Sequence, residues 1–456
     1  MSQNIPILNL KAQFEAIQTQ VESTVLDVLR SGNYILGKHV TTLEESVAEI
    51  CGAKYGIGVA NGTDALLIAL WALDIGPGDE VITTPFTFAA TLEAICLRGA
   101  RPVFVDIDPE SFNIDVHAIE KAITPKTKAI MPVHLYGLPA HMDPIKSIAD
   151  RFGLKIIEDN AQGIGAMYKG RPTGSLGDVA CTSFYPTKNL GAAGDAGMIV
   201  TSDEKLNERI RAIRAHGMRR RYYHDELGVN SRLDELQAAI LNVKVPHLPK
   251  WNARRAALAA IYDAALANIP GVITPSINLA GNARNSGRDS VTHVYHQYTI
   301  RILSPDREQT LENPNRDKLI AELNSRGIGS MCYYPVPLHL QEAFKYLGYK
   351  MGDFPISEQL SREVLSLPLY PELTEEQVDS VAAAIKDVVG KSIDLCTSIG
   401  RAHAGHACCR SSRSARLDPK QSRSRASNGQ LPTGPISSVA DRRSGDHHRR
   451  LLIMSF

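Results

Sequence analysis

The chain has 456 residues, 43% of them hydrophobic, which is enough to bury a large core over two subdomains on one scaffold. The formal net charge is only +1, but residues 391–456 hold 12 Lys/Arg against 4 Asp/Glu (+8), leaving −7 on a body unlike that of a nucleic-acid binder. No run is long and apolar enough to span a membrane and no charged-then-apolar leader opens the chain, so a cytoplasmic protein with no membrane partner is expected.

In chain order, the first marked segment is Gly32-Asn33-Tyr34-Ile35-Leu36-Gly37-Lys38-His39. It has P-loop spacing as far as its lysine. His39 stands where a Ser or Thr would bind magnesium, and no apolar strand precedes it, so it is a decoy. Apolar runs at 57–60, 80–83, 103–106, 129–133, 155–158, 179–184 and 198–201 read as strands, with helices at 115–123 and 144–152 among the segments between them. This alternation predicts a mostly parallel sheet covered on both faces, with ligands at the strand ends. No strand is followed by the glycine fingerprint of a dinucleotide fold.

After residue 201 the pattern turns helical. Ser231-Arg232-Leu233-Asp234 reads as a capping box opening a helix, with Leu233, Leu236, Ile240 and Val243 on one face. Residues 251–390 mix helices with strands such as 297–302, as expected of a smaller C-terminal α+β subdomain. Residues 278–290 are polar and contain glycine, the pattern of an exposed loop.

Three strand ends carry candidate chemistry. The first runs into Asn61-Gly62-Thr63-Asp64 and then an apolar helix, so free backbone N–H groups and a positive helix end could hold a phosphate, with Thr63 adding a hydroxyl. The second runs into Thr84-Pro85-Phe86-Thr87-Phe88, where a phenylalanine could cover a flat ring or simply fill the core. The third lies at Glu158-Asp159-Asn160-Ala161-Gln162.

The most informative stretch is Ser183-Phe184-Tyr185-Pro186-Thr187-Lys188-Asn189-Leu190-Gly191. A lysine held between an apolar strand end and a glycine-rich turn tends to lose its proton or be modified. A neutral amine is what Schiff-base chemistry needs. Lys188 with Asp159 therefore suggests a lysine that carries pyridoxal phosphate and a carboxylate that tunes it.

Of seven cysteines, Cys51, Cys96, Cys181 and Cys332 stand singly in apolar surroundings and read as reduced core thiols. The rest lie in the tail, where His403, His406, Cys408 and Cys409 lack a matching ligand set, so no metal is expected. From about Lys391, serine and arginine dominate and hydrophobic periodicity stops. The tail is expected to be disordered, with a shifted reading frame as one origin.

Taken together, Asn61-Gly62-Thr63, Phe88, the 158–162 stretch, the 183–191 stretch and Gly228-Val229-Asn230-Ser231-Arg232-Leu233-Asp234-Glu235-Leu236-Gln237 resemble the DegT/DnrJ-type sugar-nucleotide aminotransferases. The resemblance implies an α/β, aspartate aminotransferase-like fold of pyridoxal phosphate enzymes (fold type I). Its large domain has a mostly parallel seven-stranded sheet over 1–250, with the small subdomain at 251–390 and the tail at 391–456.

It further implies that Lys188 is the catalytic lysine, bound to the cofactor as an imine. Asp159 would face the pyridine nitrogen, Phe88 would stack on the ring, and Gln162 would lie near the ring hydroxyl. Gly62, Thr63 and Ser183 would hold the phosphate. Asn230 would reach the cofactor of a neighbouring subunit in a homodimer, and Arg232, Tyr333 and Tyr334 would meet the substrate.

The segments 292–301 and 333–341 are similar to the branch that aminates the 3-keto position of dTDP-linked 6-deoxyhexoses, with glutamate as donor. A 4-amination, another pyridoxal phosphate reaction, or a regulatory homologue without turnover are the alternatives.

Overall fold

The computed structural model describes the backbone of residues 4–276, 290–303 and 310–404, and side chains as far as 390. The seven apolar runs form one sheet. Across it the strands stand in the order Tyr55–Val59, Gly197–Thr201, Val179–Ser183, Lys155–Asp159, Thr127–Ile130, Glu80–Thr83 and Arg101–Phe104. Four neighbouring pairs are parallel, whereas Gly197–Thr201 runs antiparallel to both of its neighbours.

Alternation along each strand sends successive side chains to opposite faces. Val81, Ala129, Ile157, Val179 and Ile199 share a core with Ala65, Leu66 and Ala69 of the helix Gly62–Ala72. Ile82, Ile130 and Ile156 face the other way, into a core with Ile145 and Ile148 of the helix Met142–Phe152. Ala180, Met198 and Val200 likewise meet Val40, Leu43 and Val47 of the helix Lys38–Ile50. Both faces are therefore apolar, which is why these strands read as unbroken hydrophobic runs.

A further core gathers Tyr262 and Leu266 of the helix Leu248–Leu266 with Tyr298, Ile300, Leu365, Leu367, Val381 and Ile385. It surrounds an antiparallel sheet ordered Val272–Ile273, Tyr298–Ile302, Val364–Leu367. Ile5 joins it from the other end of the chain.

Some expectations are corrected. Strands expected at 103–106 and 129–133 lie at Arg101–Phe104 and Thr127–Ile130, because ladder pairing and not apolar content sets their ends. Ser231 caps no helix. The helix is Glu235–Lys244, with Asp234 before it making no side-chain cap. The Ser231 hydroxyl donates instead to Asp64 Oδ2 at 2.6 Å and accepts from the Ala60 N–H at 3.1 Å. Of the expected helix face, Ile240 is buried on it and Leu233 is buried just ahead of it, whereas Leu236 and Val243 are only partly covered. The buried side runs through Ala238, Leu241 and Lys244.

The backbone does not break at 391: the last described helix is Glu375–Ala404, and no proline stands in that stretch to stop it. The residues to Ile399 form one compact unit. Of the second, Gly400–Phe456, only 400–404 are described. The expected loop at 278–290 (except Ser290) and the tail positions His406, Cys408 and Cys409 lie outside the described residues.

The decoy at Gly32–His39 is occupied by protein. Glu235 Oε2 accepts from the N–H groups of Gly37 at 2.8 Å and Val40 at 3.3 Å, and Oε1 accepts from His39 at 2.7 Å. That helix start is capped by a carboxylate, which leaves no place for an anion.

Candidate active site

The strand Lys155–Asp159 ends on two buried carboxylates that point opposite ways. Glu158 accepts N–H donors from Gly174, Leu176 and Gly177, each at 2.8 Å, and bonds His134 Nε2 at 2.9 Å. It is consumed by a turn. Asp159 faces the other side, where Thr91 Oγ1 donates to Oδ2 at 2.8 Å and the Ala161 N–H donates to Oδ1 at 3.2 Å. Since Thr91 gives its proton to Asp159, Thr87 must donate to Thr91 across their 3.0 Å contact. Burial pushes the Asp159 carboxyl above the usual carboxylate range, opposed by the Thr91 hydroxyl, the Ala161 N–H, Lys188 and His134.

Lys188 follows the neighbouring strand Val179–Ser183. Part of its surface reaches solvent, yet dense protein surrounds it. Desolvation, partly offset by Asp159, lowers its pKa to about 8. The next residue is firmly held. Asn189 Nδ2 donates to Asn252 Oδ1 at 2.9 Å and to the Val294 carbonyl at 3.0 Å, and Oδ1 meets His296 Nδ1 at 3.2 Å. Burial, with Lys188 and Arg255 nearby, holds His296 well below its ordinary pKa and therefore neutral.

Asn61 caps the helix Gly62–Ala72, its Oδ1 accepting from the Asp64 N–H at 2.8 Å. Helix geometry leaves the N–H groups of Gly62 and Thr63 without intrahelical acceptors. The helix start presses on the Ser183 strand end: a Cβ at Gly62 would lie 2.7 Å from Ser183 Cβ and 3.1 Å from its Oγ. Only glycine allows that approach.

Phe88 opens the helix Ala89–Leu97 and is 58% exposed, so its ring is a surface and not a core filler. Phe86, its rival from the sequence, is fully buried. The Phe88 ring lies 6.2 Å from that of Tyr334. Gln162 bridges inward, accepting from the Tyr136 N–H at 2.6 Å and donating to the Tyr334 hydroxyl at 3.3 Å. The Tyr333 carbonyl accepts from the Tyr136 hydroxyl. Burial raises the hydroxyl pKa of both Tyr333 and Tyr334, so both remain protonated donors.

The structure thus brings Lys188, Asp159, Gln162 and Tyr334 into one electrostatic and hydrogen-bonded group, with Gly62 against Ser183 and Phe88 beside Tyr334. Thr63 lies half-buried in the first turn of its helix. Asn230 is exposed and Arg232 half-buried; among the described residues neither is hydrogen-bonded to Lys188 or Asp159. Thr91, Thr87 and Tyr136 escaped the sequence reading. The four-residue spacing of Thr87 and Thr91 at a helix start was their one signal.

Comparison with known proteins gives this geometry its context. The chain is 50% identical to the pleiotropic regulatory protein of Geobacillus stearothermophilus, over 84% of this chain and 98% of that one. It is 44% identical to the UDP-N-acetyl-3-dehydro-alpha-D-glucosamine 3-aminotransferase of Acidithiobacillus ferrooxidans, over 85% and 99%. Identity with the dTDP-3-amino-3,4,6-trideoxy-alpha-D-glucose transaminase of Streptomyces venezuelae is 42%, over 84% and 96%. Among solved structures it resembles S. venezuelae DesV in complex with a ketimine intermediate, at TM-score 0.78 and 42% identity, covering 85% of this chain and 98% of that one.

Residues 15–386 match the DegT/DnrJ/EryC1/StrS aminotransferase family. The expected fold, enzyme class and pyridoxal phosphate dependence are all borne out. The chain therefore belongs to the DegT/DnrJ/EryC1/StrS aminotransferases.

Proposed function

We propose that the chain transfers an amino group from glutamate to a keto-sugar nucleotide, with a dTDP-linked 3-keto-6-deoxyhexose as the substrate. Lys188, drawn to a pKa of about 8 beside the buried Asp159 carboxyl, carries the amino-transfer half of this reading, and the Streptomyces venezuelae relative supports a dTDP-linked sugar. When bound, pyridoxal phosphate supplies the electron sink that amino-group transfer requires.

The residues fit that group. Asp159 Oδ1 accepts a single 3.2 Å backbone bond, so the carboxylate can still take a pyridinium N–H. The N–H groups of Gly62 and Thr63 with the Ser183 hydroxyl suit a phosphate. Phe88 offers an exposed ring face. Lys188 Nζ attaches the cofactor and, once released, carries a proton to and from the substrate carbon, a role for which a near-neutral amine is suited. Arg232, Tyr333 and Tyr334 are assigned to the sugar nucleotide.

Asn230 completes the site of a second copy, which makes the enzyme a homodimer. In support, Asn230 itself is exposed, and large apolar side chains (Phe14, Tyr34, Ile35, Phe88, Tyr222 and Leu227) are exposed in this chain. The division of the chain near 250 is supported by the separate core around Tyr262 and Ile300. The four free cysteines of the described residues support a reducing compartment, the cytoplasm.

The Acidithiobacillus relative favours a second reading, a UDP-linked 3-keto sugar. The Geobacillus relative favours a third, a regulatory role. One experiment separates them: purified protein is incubated with glutamate and a panel of dTDP- and UDP-linked 3-keto and 4-keto sugars, and the amino sugar formed is measured. Turnover of the dTDP 3-keto compound above all others is expected. Preference for a UDP sugar would refute the nucleotide assignment, and no turnover of any compound would favour the regulatory role.

A further inference from the structure

The Ser231 hydroxyl, which could have capped the helix after it, joins instead two places 167 residues apart. On one side is Asp64, in the first turn of the helix whose N-terminus meets the Ser183 strand end. On the other is the segment carrying Asn230 and Arg232. Ser231 is fully buried, with both of its hydroxyl contacts on the Ala60–Asp64 turn: 2.6 Å to Asp64 Oδ2 and 3.1 Å from the Ala60 N–H. A hydroxyl donating to a carboxylate in such a place is among the stronger neutral-donor bonds.

The backbone on either side is fixed as well. The Val229 N–H donates to the Ile213 carbonyl at 2.8 Å, and the Ser231 N–H to the Arg214 carbonyl at 3.0 Å. Arg214 in turn reaches the Gly58 carbonyl at 2.7 Å and Glu44 Oε1 at 2.6 Å. Between these anchors Asn230 alone is exposed. The arrangement is a rigid mount whose exposed point is one amide side chain.

We propose that Ser231 and Asp64 are positioning residues that hold Asn230 in place for the phosphate of the cofactor bound by the neighbouring chain. This rests on the shared-site reading given above and adds to it what aims the shared residue. Breaking the Ser231–Asp64 bond loosens the mount, so in the other chain's site the loss falls on the phosphate end of the cofactor.

The test uses mixed dimers made from two differently tagged chains. One chain carries Lys188→Ala, so cofactor can attach only to the other, whose Lys188 is intact. Ser231→Ala is then added to the Lys188→Ala chain. Pyridoxal phosphate is titrated and attachment to the intact Lys188 is read by visible absorption, in parallel with phosphate-free pyridoxal.

Pyridoxal phosphate should bind about tenfold more weakly than to the dimer lacking Ser231→Ala, while pyridoxal binds unchanged. Equal loss for both compounds, no loss, or loss only when Ser231→Ala sits on the chain with intact Lys188 would each overturn the proposal. Asn230→Ala in the same position tests the shared site separately: without effect there, that reading fails whatever Ser231 does. Should the Ser231→Ala chain not fold, Asp64→Ala on the Lys188→Ala chain removes the same bond from its other end. It carries the same expectation and the same refutations.

Discussion

Thr91 Oγ1 and Asp159 Oδ2 meet at 2.8 Å across 68 residues of sequence, with Thr87 behind Thr91 as its own donor. The pair engages one carboxylate oxygen and favours the ionised acid, opposing the rise in pKa that burial causes. Thr91→Val should therefore raise the Asp159 pKa further and cost on the order of 1.5–3 kcal/mol of support for the charged form. Asp159→Asn removes the charge outright, and transamination should fall by at least about a hundredfold. Steady-state rates of both variants check the order, with Asp159→Asn the more severe.

Lys188 has a pKa of about 8 against 10.5 for a free side chain. Because the shift is downward, the neutral amine accumulates as pH rises through about 8. The rate of pyridoxal phosphate attachment to cofactor-free enzyme should climb to a plateau just above that pH, as followed by stopped-flow absorbance. A climb continuing towards pH 10.5 would show that burial does not tune this amine. Lys188→Ala should abolish turnover and leave the fold intact.

A methyl group at Gly62 would lie 2.7 Å from Ser183 Cβ, so Gly62→Ala must push the helix start away from the strand end. Overpacking of this kind costs about 1–3 kcal/mol. Cofactor affinity should drop at least about fivefold, with the melting temperature of cofactor-free protein changed less than that of the loaded enzyme. Calorimetry with and without cofactor makes the comparison.

Glu235 is buried and accepts three N–H groups at the start of the helix Lys38–Ile50. Glu235→Ala would strand all three and should destabilise the protein by about 2–4 kcal/mol. Glu235→Gln keeps one acceptor oxygen and should lose less. Chemical denaturation of both variants measures the difference.

The seven sheet strands were legible because each is covered on both faces, so Val81-Ile82, Ile156-Ile157 and Ile199-Val200 read as plain apolar runs. Lys188, Asp159 and Gly62 were legible because their types are costly or unusual in those settings. Ser231 was misread because a hydroxyl near a helix start looks the same whether its partner is the next turn or Asp64, 167 residues away. Thr91 gave still less, since its four-residue spacing from Thr87 does not reveal the carboxylate that Thr91 meets. Strand ends at 101 and 127 depended on ladder partners that apolar counting does not see.

Glu158 and Asp159 are adjacent acids with unrelated duties, one clamping the amides of Gly174, Leu176 and Gly177 and the other facing Lys188. Strand alternation alone separates those duties. A one-residue deletion upstream in Lys155–Asp159 would put Asp159 where Glu158 stands, giving the turn a shorter anchor, and Asn160 where Asp159 stands, leaving the site beside Lys188 without its acid. The strand thus behaves as a frame-sensitive ruler, tolerant of apolar substitution along its length but not of any change in residue count.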